Sequence, residues 1–196
     1  MTGSEVTLEA GVDEAGRGPL AGPVVVAAVI LPARYNLPWL DDSKRLSAIR
    51  REKLLPMIEQ QAIAYSVEFV DVEEIDEVNI LQATMNGMQR AVENLKPKPH
   101  RALIDGNRAP QMSCETHTVV GGDGLIPSIS AASVLAKVYR DRLMQSMHAV
   151  YPDYGFDRHK GYPTSLHIDR LNEFGPCPIH RSSFAPVRKA RAILSR

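Results

Sequence analysis

Four acidic side chains in this 196-residue chain are placed where they could do chemistry together. Asp13 with Glu14, Asp105 and Asp123 all follow apolar stretches and precede turns that contain glycine. Carboxylates brought together repel one another, by roughly 4 kcal/mol for a pair about 4 Å apart at an effective dielectric constant near 20. Cations relieve that repulsion, and hard oxygen ligands of this kind select Mg²⁺ or Mn²⁺. The pattern fits a divalent-metal site, and it fits four unrelated turn residues equally well.

The first two acids lie in a segment, residues 11–31, that reads GVDEAGRGPLAGPVVVAAVIL. Apolar, β-branched runs over residues 6–12 and 24–31 predict two strands. The glycines and prolines between these runs predict a turn with backbone angles that other residues resist. Along a strand, Asp13 and Glu14 would point to opposite faces. Either the chain has already turned at Glu14, or one of the two acids acts indirectly, through its backbone carbonyl or a bound water.

The rest of the pattern predicts alternating helices and strands. Ser47 is a candidate N-cap for a helix that ends near residue 61, and Pro56 should kink or split that helix. Further strands are expected over residues 63–70, 102–104 and 116–120. Further helices are expected from Asp71, over residues 79–95 and over residues 128–147. The last of these helices would carry Lys137, Arg140, Asp141 and Arg142 on its polar side. Because neighbouring strand ends of an α/β sheet converge on one rim, this order would bring the four acids together.

Composition and charge restrict the class of protein. The 44% hydrophobic and 23% charged residues are ordinary for a globular protein, and no apolar run approaches the roughly 20 residues of a membrane helix. The formal net charge is zero, but residues 154–196 carry eight Lys or Arg against three acids. Such a basic part suits a polyanionic partner, although a solvated basic face is as common. Cys114 and Cys177 match no metal spacing and are expected to be reduced thiols of a cytoplasmic protein.

Seven segments stand in order along the chain: GVDEAGRGPLAGPVV, DSKRLS, DEVNILQATMNGMQRAV, LIDGNR, ISAASVLAKVYRD, YGFDRHKGYPT and HRSSFAPV. Together they resemble the type 2 ribonucleases H of bacteria, the ribonuclease HII family. The resemblance implies a ribonuclease H-like α/β fold, with a mixed five-stranded sheet flanked by helices and a small helical C-terminal part. It implies a catalytic body over residues 1–153 and a basic extension over residues 154–196 that packs on the body as one structural unit.

The resemblance also implies an activity. The expected protein is a metal-dependent endonuclease that hydrolyses the RNA strand of RNA–DNA hybrids and cuts 5′ to single ribonucleotides in duplex DNA, leaving a 3′-hydroxyl and a 5′-phosphate. It would use two divalent ions, Mg²⁺ or Mn²⁺, and work as a cytoplasmic monomer away from membranes. The family's functional positions fall on the metal-binding acids Asp13, Glu14, Asp105 and Asp123, on the ribose-reading residues Gly16, Arg17 and Gly18, and on the ribose-stacking Tyr162.

Four basic residues are further candidates, for contacts with substrate phosphates: Lys44, Lys137, Lys160 and Arg181. One position departs from the family pattern, since many members carry a lysine two residues before the last acid and this chain has Gly121. The departure leaves the acid in place. It affects the stiffness of the loop and any phosphate contact that the lysine would make.

Two other functions fit part of the sequence. Another nuclease or resolvase of the same superfold would use the acids without reading ribose, and a catalytically silent module would bind nucleic acid alone. A phosphate-binding P-loop is excluded as far as the sequence can exclude it, because the glycines at 16 and 18 are not followed by Gly-Lys-Ser or Gly-Lys-Thr.

Overall fold

The computed structural model describes residues 7–41 and 43–194. Its strands are β1 (Glu9–Ala15), β2 (Val24–Ile30), β3 (Ala64–Val70), β4 (Arg101–Asp105) and β5 (Glu115–Val119). They form one sheet in the order β3-β2-β1-β4-β5. Strand β1 pairs antiparallel with β2 and parallel with β4, and β4 pairs parallel with β5. The predicted mixed five-stranded sheet is confirmed.

Helices cover both faces of this sheet. Their bounds are α1 (Ala48–Gln61), α2 (Val72–Val78), α3 (Ile80–Asn94), α4 (Pro127–Val150), α5 (Phe156–His159), α6 (Ser165–Phe174) and α7 (Ala185–Leu194). Short 3-10 helices lie at Gly122–Gly124 and Pro152–Tyr154. Within residues 7–41 and 43–194, no helix is both long and apolar enough to cross a membrane.

Strand β2 shows why the layers form. All seven of its residues are buried, since both faces of the sheet are covered. Its even-numbered residues pack with α2 and α3, and its odd-numbered residues pack with α1 and α4. The apolar run thus builds two cores, one on each side of the strand.

Helix starts follow from their caps. The Ser47 side chain accepts a hydrogen bond from the Arg50 amide at 3.3 Å, and the Asp71 side chain accepts one from the Glu74 amide at 3.0 Å. Both starts are therefore confirmed. Of the two predicted effects of Pro56, the split does not occur, because the helix continues through Pro56; the kink stays a prediction. Both Pro56 and Glu52, whose carbonyl loses its amide partner, lie on the exposed face, where water can bind that carbonyl.

Strand β1 extends further than the sequence predicts. It continues to Ala15 because its pairing with β2 continues, Asp13 opposite Ala27 and Glu14 opposite Val26. The first two acids therefore lie inside the strand rather than in the turn after it. Val6, where the predicted strand begins, lies outside the described residues.

The C-terminal helices pack against the loop that connects β1 and β2. Leu20 of that loop forms a small apolar core with Leu171 of α6 and with Val187 and Ala190 of α7. These contacts support the proposal that residues 154–196 and the body form one structural unit. Cys114 and Cys177 are free thiols, as predicted.

Candidate active site

Three acids meet at one edge of the sheet. Asp13 lies in β1, Asp105 ends β4, and Asp123 lies in the 3-10 helix that follows β5. Because β1, β4 and β5 run parallel, their carboxyl ends share this edge. One carboxylate oxygen of each acid lies within 4.8 Å of the others. We call these three residues the acid cluster; Asp13 and Asp123 are buried, and Asp105 is partly buried.

Glu14 approaches from the other face of β1. Its carboxylate accepts a hydrogen bond from Arg17 at 3.5 Å. It lines a cavity of about 310 Å³ together with Asp105 and with Leu81, Met85 and Met88 of α3. Glu14 is not among the three acids whose oxygens meet within 4.8 Å. The expected opposition of Asp13 and Glu14 is therefore present, and Asp105 borders both the cluster and the cavity.

The acids carry more charge than their surroundings balance. Burial, reinforced by the Glu14 charge, raises the pKa of Asp13 well above its usual value, although a hydrogen bond from Ser133 opposes the rise. Burial, reinforced by the Asp123 charge, raises the pKa of Asp105. Burial also raises the pKa of Glu14, against the lowering effect of Arg17. A crowded set of carboxylate oxygens fits a hard divalent cation, which would remove this repulsion.

Lys44 lies at the rim of the acid cluster. Its ammonium donates to Asp123 Oδ2 at 3.3 Å, and its side chain is 76% exposed. The loop that carries Lys44 is fixed close to the cluster, where the buried hydroxyls of Ser43 and Ser133 lie within hydrogen-bond distance of each other, at 2.8 Å. A cation in this position can meet an anion bound over the cluster.

Arg181 corrects one prediction. It was expected to contact phosphate, but its side chain is fully buried beneath residues 16–23, which we call the hairpin loop. Its guanidinium donates to the carbonyls of Gly16 at 2.6 Å, Arg17 at 2.9 Å and Pro19 at 2.8 Å, and also to Gly22. These bonds occupy the donors inside the fold. Arg181 therefore holds the hairpin loop.

Arg140 is a positioning residue that sequence reasoning missed. The helical pattern places it on the polar side of α4, yet it is 1% exposed. It donates to the carbonyls of Ala21 at 3.1 Å, Pro23 at 3.0 Å and Lys160 at 3.0 Å. Its guanidinium also lies 5.8 Å from the centre of the Tyr162 ring. Arg140 thus joins the hairpin loop to the segment that carries Tyr162.

Burial lowers the pKa of both arginines without deprotonating them at neutral pH. It lowers the pKa of Arg140 to about 10, and burial together with the Arg140 charge lowers the pKa of Arg181 to about 9. Both guanidiniums are therefore protonated at neutral pH. Arg140 also explains one of the glycines: Gly16 has φ +98°, and a Cβ there would lie 2.0 Å from Arg140 Nε.

The arginines determine which backbone groups of the hairpin loop face outward. A trans peptide group carries its C=O and N–H on opposite sides. Since the carbonyls of Gly16 and Arg17 turn inward to Arg181, the amides of Arg17 and Gly18 turn away from it. Both residues are exposed, and a Cβ on Gly18 would lie 3.8 Å from the ring of Tyr162. Outward amides and a 40%-exposed aromatic ring therefore share one surface.

Two other predicted phosphate contacts are engaged within the fold. The Lys137 ammonium donates to both carboxylate oxygens of Asp141, at 2.5 and 2.8 Å. Lys160 donates to the carbonyl of Asp157 and to Gln145 at 3.5 Å. Their roles toward phosphate stay predictions.

Gly121 adopts a left-handed backbone conformation, with φ +69°. A Cβ at this position would meet no described atom within 4 Å. A lysine here would therefore be strained in its backbone without being blocked by neighbours.

Comparisons with known proteins cover nearly the whole chain. A family model described as Ribonuclease HII matches residues 10–187. The chain is 56% identical over 179 residues to a ribonuclease HII of Bordetella avium, covering 91% of this chain and 89% of the relative. It is 58% identical over 180 residues to a ribonuclease HII of Burkholderia mallei, covering 92% and 84%.

Solved structures share the fold of this chain. The ribonuclease H2 from Pyrococcus horikoshii superposes with a TM-score of 0.85 at 26% identity, over 97% of this chain and all of that one. A Bst-RNase HIII in complex with Mn²⁺ superposes with a TM-score of 0.74 over 97% of this chain and 71% of that one. At 17% identity the second likeness shows the fold alone.

Proposed function

Because the chain belongs to the ribonuclease HII family, we propose that the acid cluster and the adjoining surface of outward amides and Tyr162 carry out its reaction. The chain is a metal-dependent ribonuclease H that acts on RNA–DNA hybrids. We propose further that it cuts 5′ to single ribonucleotides in duplex DNA, leaving a 3′-hydroxyl and a 5′-phosphate, and that it works as a cytoplasmic monomer. The observation that carries the proposal is one edge of the sheet where three carboxylates meet within 4.8 Å.

The acids are proposed to bind the metal. Asp13, Asp105 and Asp123, with Glu14 beside them, would hold two divalent ions, Mg²⁺ or Mn²⁺. When bound, such ions lower the pKa of water and neutralise charge on the leaving oxygen of a phosphodiester. The fold contributes a fixed arrangement of carboxylates, since parallel strands position Asp13 and Asp105 and the 3-10 helix positions Asp123.

Recognition of RNA is assigned to the second surface. The 2′-hydroxyl of a ribose can both donate and accept hydrogen bonds, and it is the group that distinguishes RNA from DNA. The outward amides of Arg17 and Gly18 are suitable donors to it, and the Tyr162 ring offers a stacking face with a hydroxyl at its end. Arg140 and Arg181 support this surface from below, because they hold the carbonyls inward.

Phosphate contacts belong to exposed cations near the acids. Lys44 reaches the cluster from the rim, and the half-exposed Arg17 borders the same cavity as Asp105. Both could neutralise phosphates that flank the bond to be cut. Such contacts set the position of the duplex and carry no sequence preference.

The test is cleavage with Mg²⁺ of three duplexes: DNA with one embedded ribonucleotide, an RNA–DNA hybrid and all-DNA. We expect cutting of the first two and none of the third. Tyr162→Ala should lower cleavage at the single ribonucleotide far more than it lowers binding to all-DNA duplex. Tyr65→Ala is the matched control, because Tyr65 has the same 40% exposure on a distant strand. Equal losses of cleavage and binding for Tyr162→Ala would contradict ribose reading, and cleavage of all-DNA duplex would favour another nuclease of this fold.

A further inference from the structure

Three buried histidines lie behind Tyr162, and the proposed chemistry uses none of them. His159, His167 and His180 are at most 8% exposed. The rings of His159 and His167 stack with their centres 4.4 Å apart. Phe156 packs edge-on against His167 with ring centres 5.5 Å apart. The histidines therefore belong to an aromatic core in which every ring nitrogen needs a partner.

The ring nitrogens form a continuous chain of hydrogen bonds. The Cys177 amide lies 3.0 Å from His180 Nδ1. His180 Nε2 lies 3.0 Å from His167 Nε2, and His167 Nδ1 lies 3.0 Å from the carbonyl oxygen of Tyr162. We call this chain, from Cys177 through His180 and His167 to Tyr162, the histidine relay.

The direction of the relay is determined at its start. A backbone amide can only donate, so His180 Nδ1 must accept; the Cys177 thiol, 3.1 Å from the same nitrogen, can also donate to it. A neutral imidazole has one donor and one acceptor nitrogen. His180 therefore carries its proton on Nε2 and donates to His167 Nε2. His167 in turn carries its proton on Nδ1 and donates to the Tyr162 carbonyl.

A protonated histidine would not fit this arrangement. A second proton on His180 would point at the Cys177 amide, and a second proton on His167 would point at the His180 donor. Burial also favours the neutral form of both rings. It lowers the pKa of His167 to about 4 and, with the His167 charge, lowers the pKa of His180 to about 3. Both rings are neutral at neutral pH.

The third histidine holds the neighbouring backbone. The Gly161 amide donates to His159 Nδ1 at 3.1 Å, and the Tyr162 amide donates to the His159 carbonyl at 2.9 Å. The Gly161 carbonyl accepts from Leu20 of the hairpin loop at 2.8 Å. The amide and the carbonyl of Tyr162 are thus both hydrogen-bonded to histidines, and Gly161 is hydrogen-bonded to the hairpin loop.

We propose that the histidine relay is a positioning device that fixes the main chain at Tyr162, so that its ring stands beside Gly18 for reading ribose. His167 and His180 are positioning residues, because they act through Tyr162. The inference rests on the proposed function of Tyr162. It assigns to His167 the Nδ1–H tautomer and to His180 the Nε2–H tautomer, and the two assignments depend on each other.

The tautomers can be measured without substrate. Long-range ¹H–¹⁵N correlation spectra of the ¹⁵N-histidine-labelled protein at neutral pH should show His167 neutral with its proton on Nδ1. His159 and His180 should be neutral with protons on Nε2. Single histidine substitutions assign the signals of the six histidines. A His167 proton on Nε2, or a charged His167 or His180, would overturn the relay whether or not the protein reads ribose.

Two substitutions of His167 separate positioning from packing. The asparagine amide reaches the place of Nδ1, so His167→Asn can still donate to the Tyr162 carbonyl. The glutamine amide reaches the place of Nε2, so His167→Gln keeps the bond to His180 and loses the bond to Tyr162. We expect both variants to melt at similarly lowered temperatures, while His167→Gln loses about tenfold more kcat/KM at a single embedded ribonucleotide, as one lost hydrogen bond predicts.

The outcomes distinguish the relay from the proposed function. If the unsubstituted protein does not prefer the ribonucleotide-containing duplex, the proposed function fails, and the tautomers still decide whether the relay exists. If that preference is present and His167→Asn and His167→Gln lose it equally, the positioning role is refuted. Should His167→Gln not fold, Cys177→Pro removes both the amide and the thiol that begin the relay, and unchanged ribonucleotide preference in that variant refutes the role.

Discussion

Two groups of like charges lie beside the hairpin loop, and the fold treats them in opposite ways. Arg140 and Arg181 are buried, and their guanidiniums donate to a series of backbone carbonyls. Asp13, Asp105 and Asp123 face one another, and their mutual repulsion is only partly offset by neighbouring donors. The charges of the arginines are hydrogen-bonded by the chain itself, whereas the charges of the acids would be balanced by a bound cation.

The difference teaches how a functional cluster is distinguished from a structural one. Like charge and burial are common to both groups, so neither property identifies a site. What differs is whether neighbouring protein groups balance the charge. Arg181 uses its donors on the hairpin loop, and it therefore has a structural role. The acids lie against one another and the pKa values of Asp13 and Asp105 are raised, so they predict a cation.

The largest effect is expected when the group of buried arginines, Arg140 and Arg181, is disrupted. Arg181→Met leaves several buried carbonyls without donors, each costing about 1–3 kcal/mol. The free energy of unfolding, measured with urea, should fall by about 3–5 kcal/mol. Arg170→Met is the control, since Arg170 is partly exposed and its guanidinium contacts Glu173 and the ring of Phe174 instead of a buried series of carbonyls. An unchanged free energy of unfolding, with a weaker salt dependence of DNA binding, would restore Arg181 as a phosphate contact.

The histidines extend the comparison to a third buried polar group. Because burial places the pKa of His167 at about 4 and that of His180 at about 3, below the usual value near 6.5, these two residues bind more protons in the unfolded chain than in the folded one in this range. Their contribution to stability should therefore be present above about pH 6.5 and decline as the pH falls toward 4. The raised pKa values of the acids change stability in the opposite direction, so the measurement is the difference in unfolding free energy between the unsubstituted protein and His167→Asn across this range. A difference that does not vary with pH would contradict a neutral buried His167.

A smaller effect separates two lysines. Lys44→Met should reduce the slope of log affinity against log salt by about 0.9 if Lys44 meets one phosphate. Lys137→Met should leave the slope unchanged, because the Lys137 ammonium is bound by Asp141. Binding to an RNA–DNA hybrid at several salt concentrations, with Ca²⁺ in place of Mg²⁺, makes the measurement. A reduced slope for Lys137→Met together with an unchanged slope for Lys44→Met would mean that exposure near the acid cluster does not predict phosphate contact.

The smallest effect concerns Gly121. A lysine with the left-handed backbone of this residue costs about 1–2 kcal/mol, so Gly121→Lys should melt slightly lower. Since the surrounding space is open, cleavage should persist and substrate affinity at low salt should rise. Gly124→Lys is the control, because Gly124 is also open and its φ is not positive. Loss of cleavage in Gly121→Lys alone would show that the loop requires glycine for activity.

Local signals made most of the fold predictable. Caps at Ser47 and Asp71 marked helix starts, since a side-chain oxygen before a periodic segment has few other roles. The strand order along the chain sufficed to bring Asp13, Asp105 and Asp123 to one edge. The extension of β1 to Ala15 was not predictable, because it depends on pairing with β2 rather than on the residues of β1 themselves.

The long-range polar contacts of the site were not predictable. Arg140 is buried and its neighbour Arg142 is exposed, and the periodicity of α4 contains no information about the hairpin loop that covers Arg140. The same holds for His167 and His180, each of which alone indicates an ordinary core or surface residue. Their partners lie on other segments, and only the folded chain brings these together.

The most direct test of the central claim is a thermal melt of the unsubstituted protein and of Asp105→Asn, each without metal and with Mg²⁺. Removing one charge should stabilise the metal-free protein by roughly 1–4 kcal/mol, the repulsion of a pair about 4 Å apart at effective dielectric constants from 80 to 20. Mg²⁺ should raise the melting temperature of the unsubstituted protein and have little effect on Asp105→Asn, which should no longer cut the hybrid. Equal stabilisation of both proteins by Mg²⁺, with cleavage retained in the variant, would contradict the assignment of the acid cluster as the metal site.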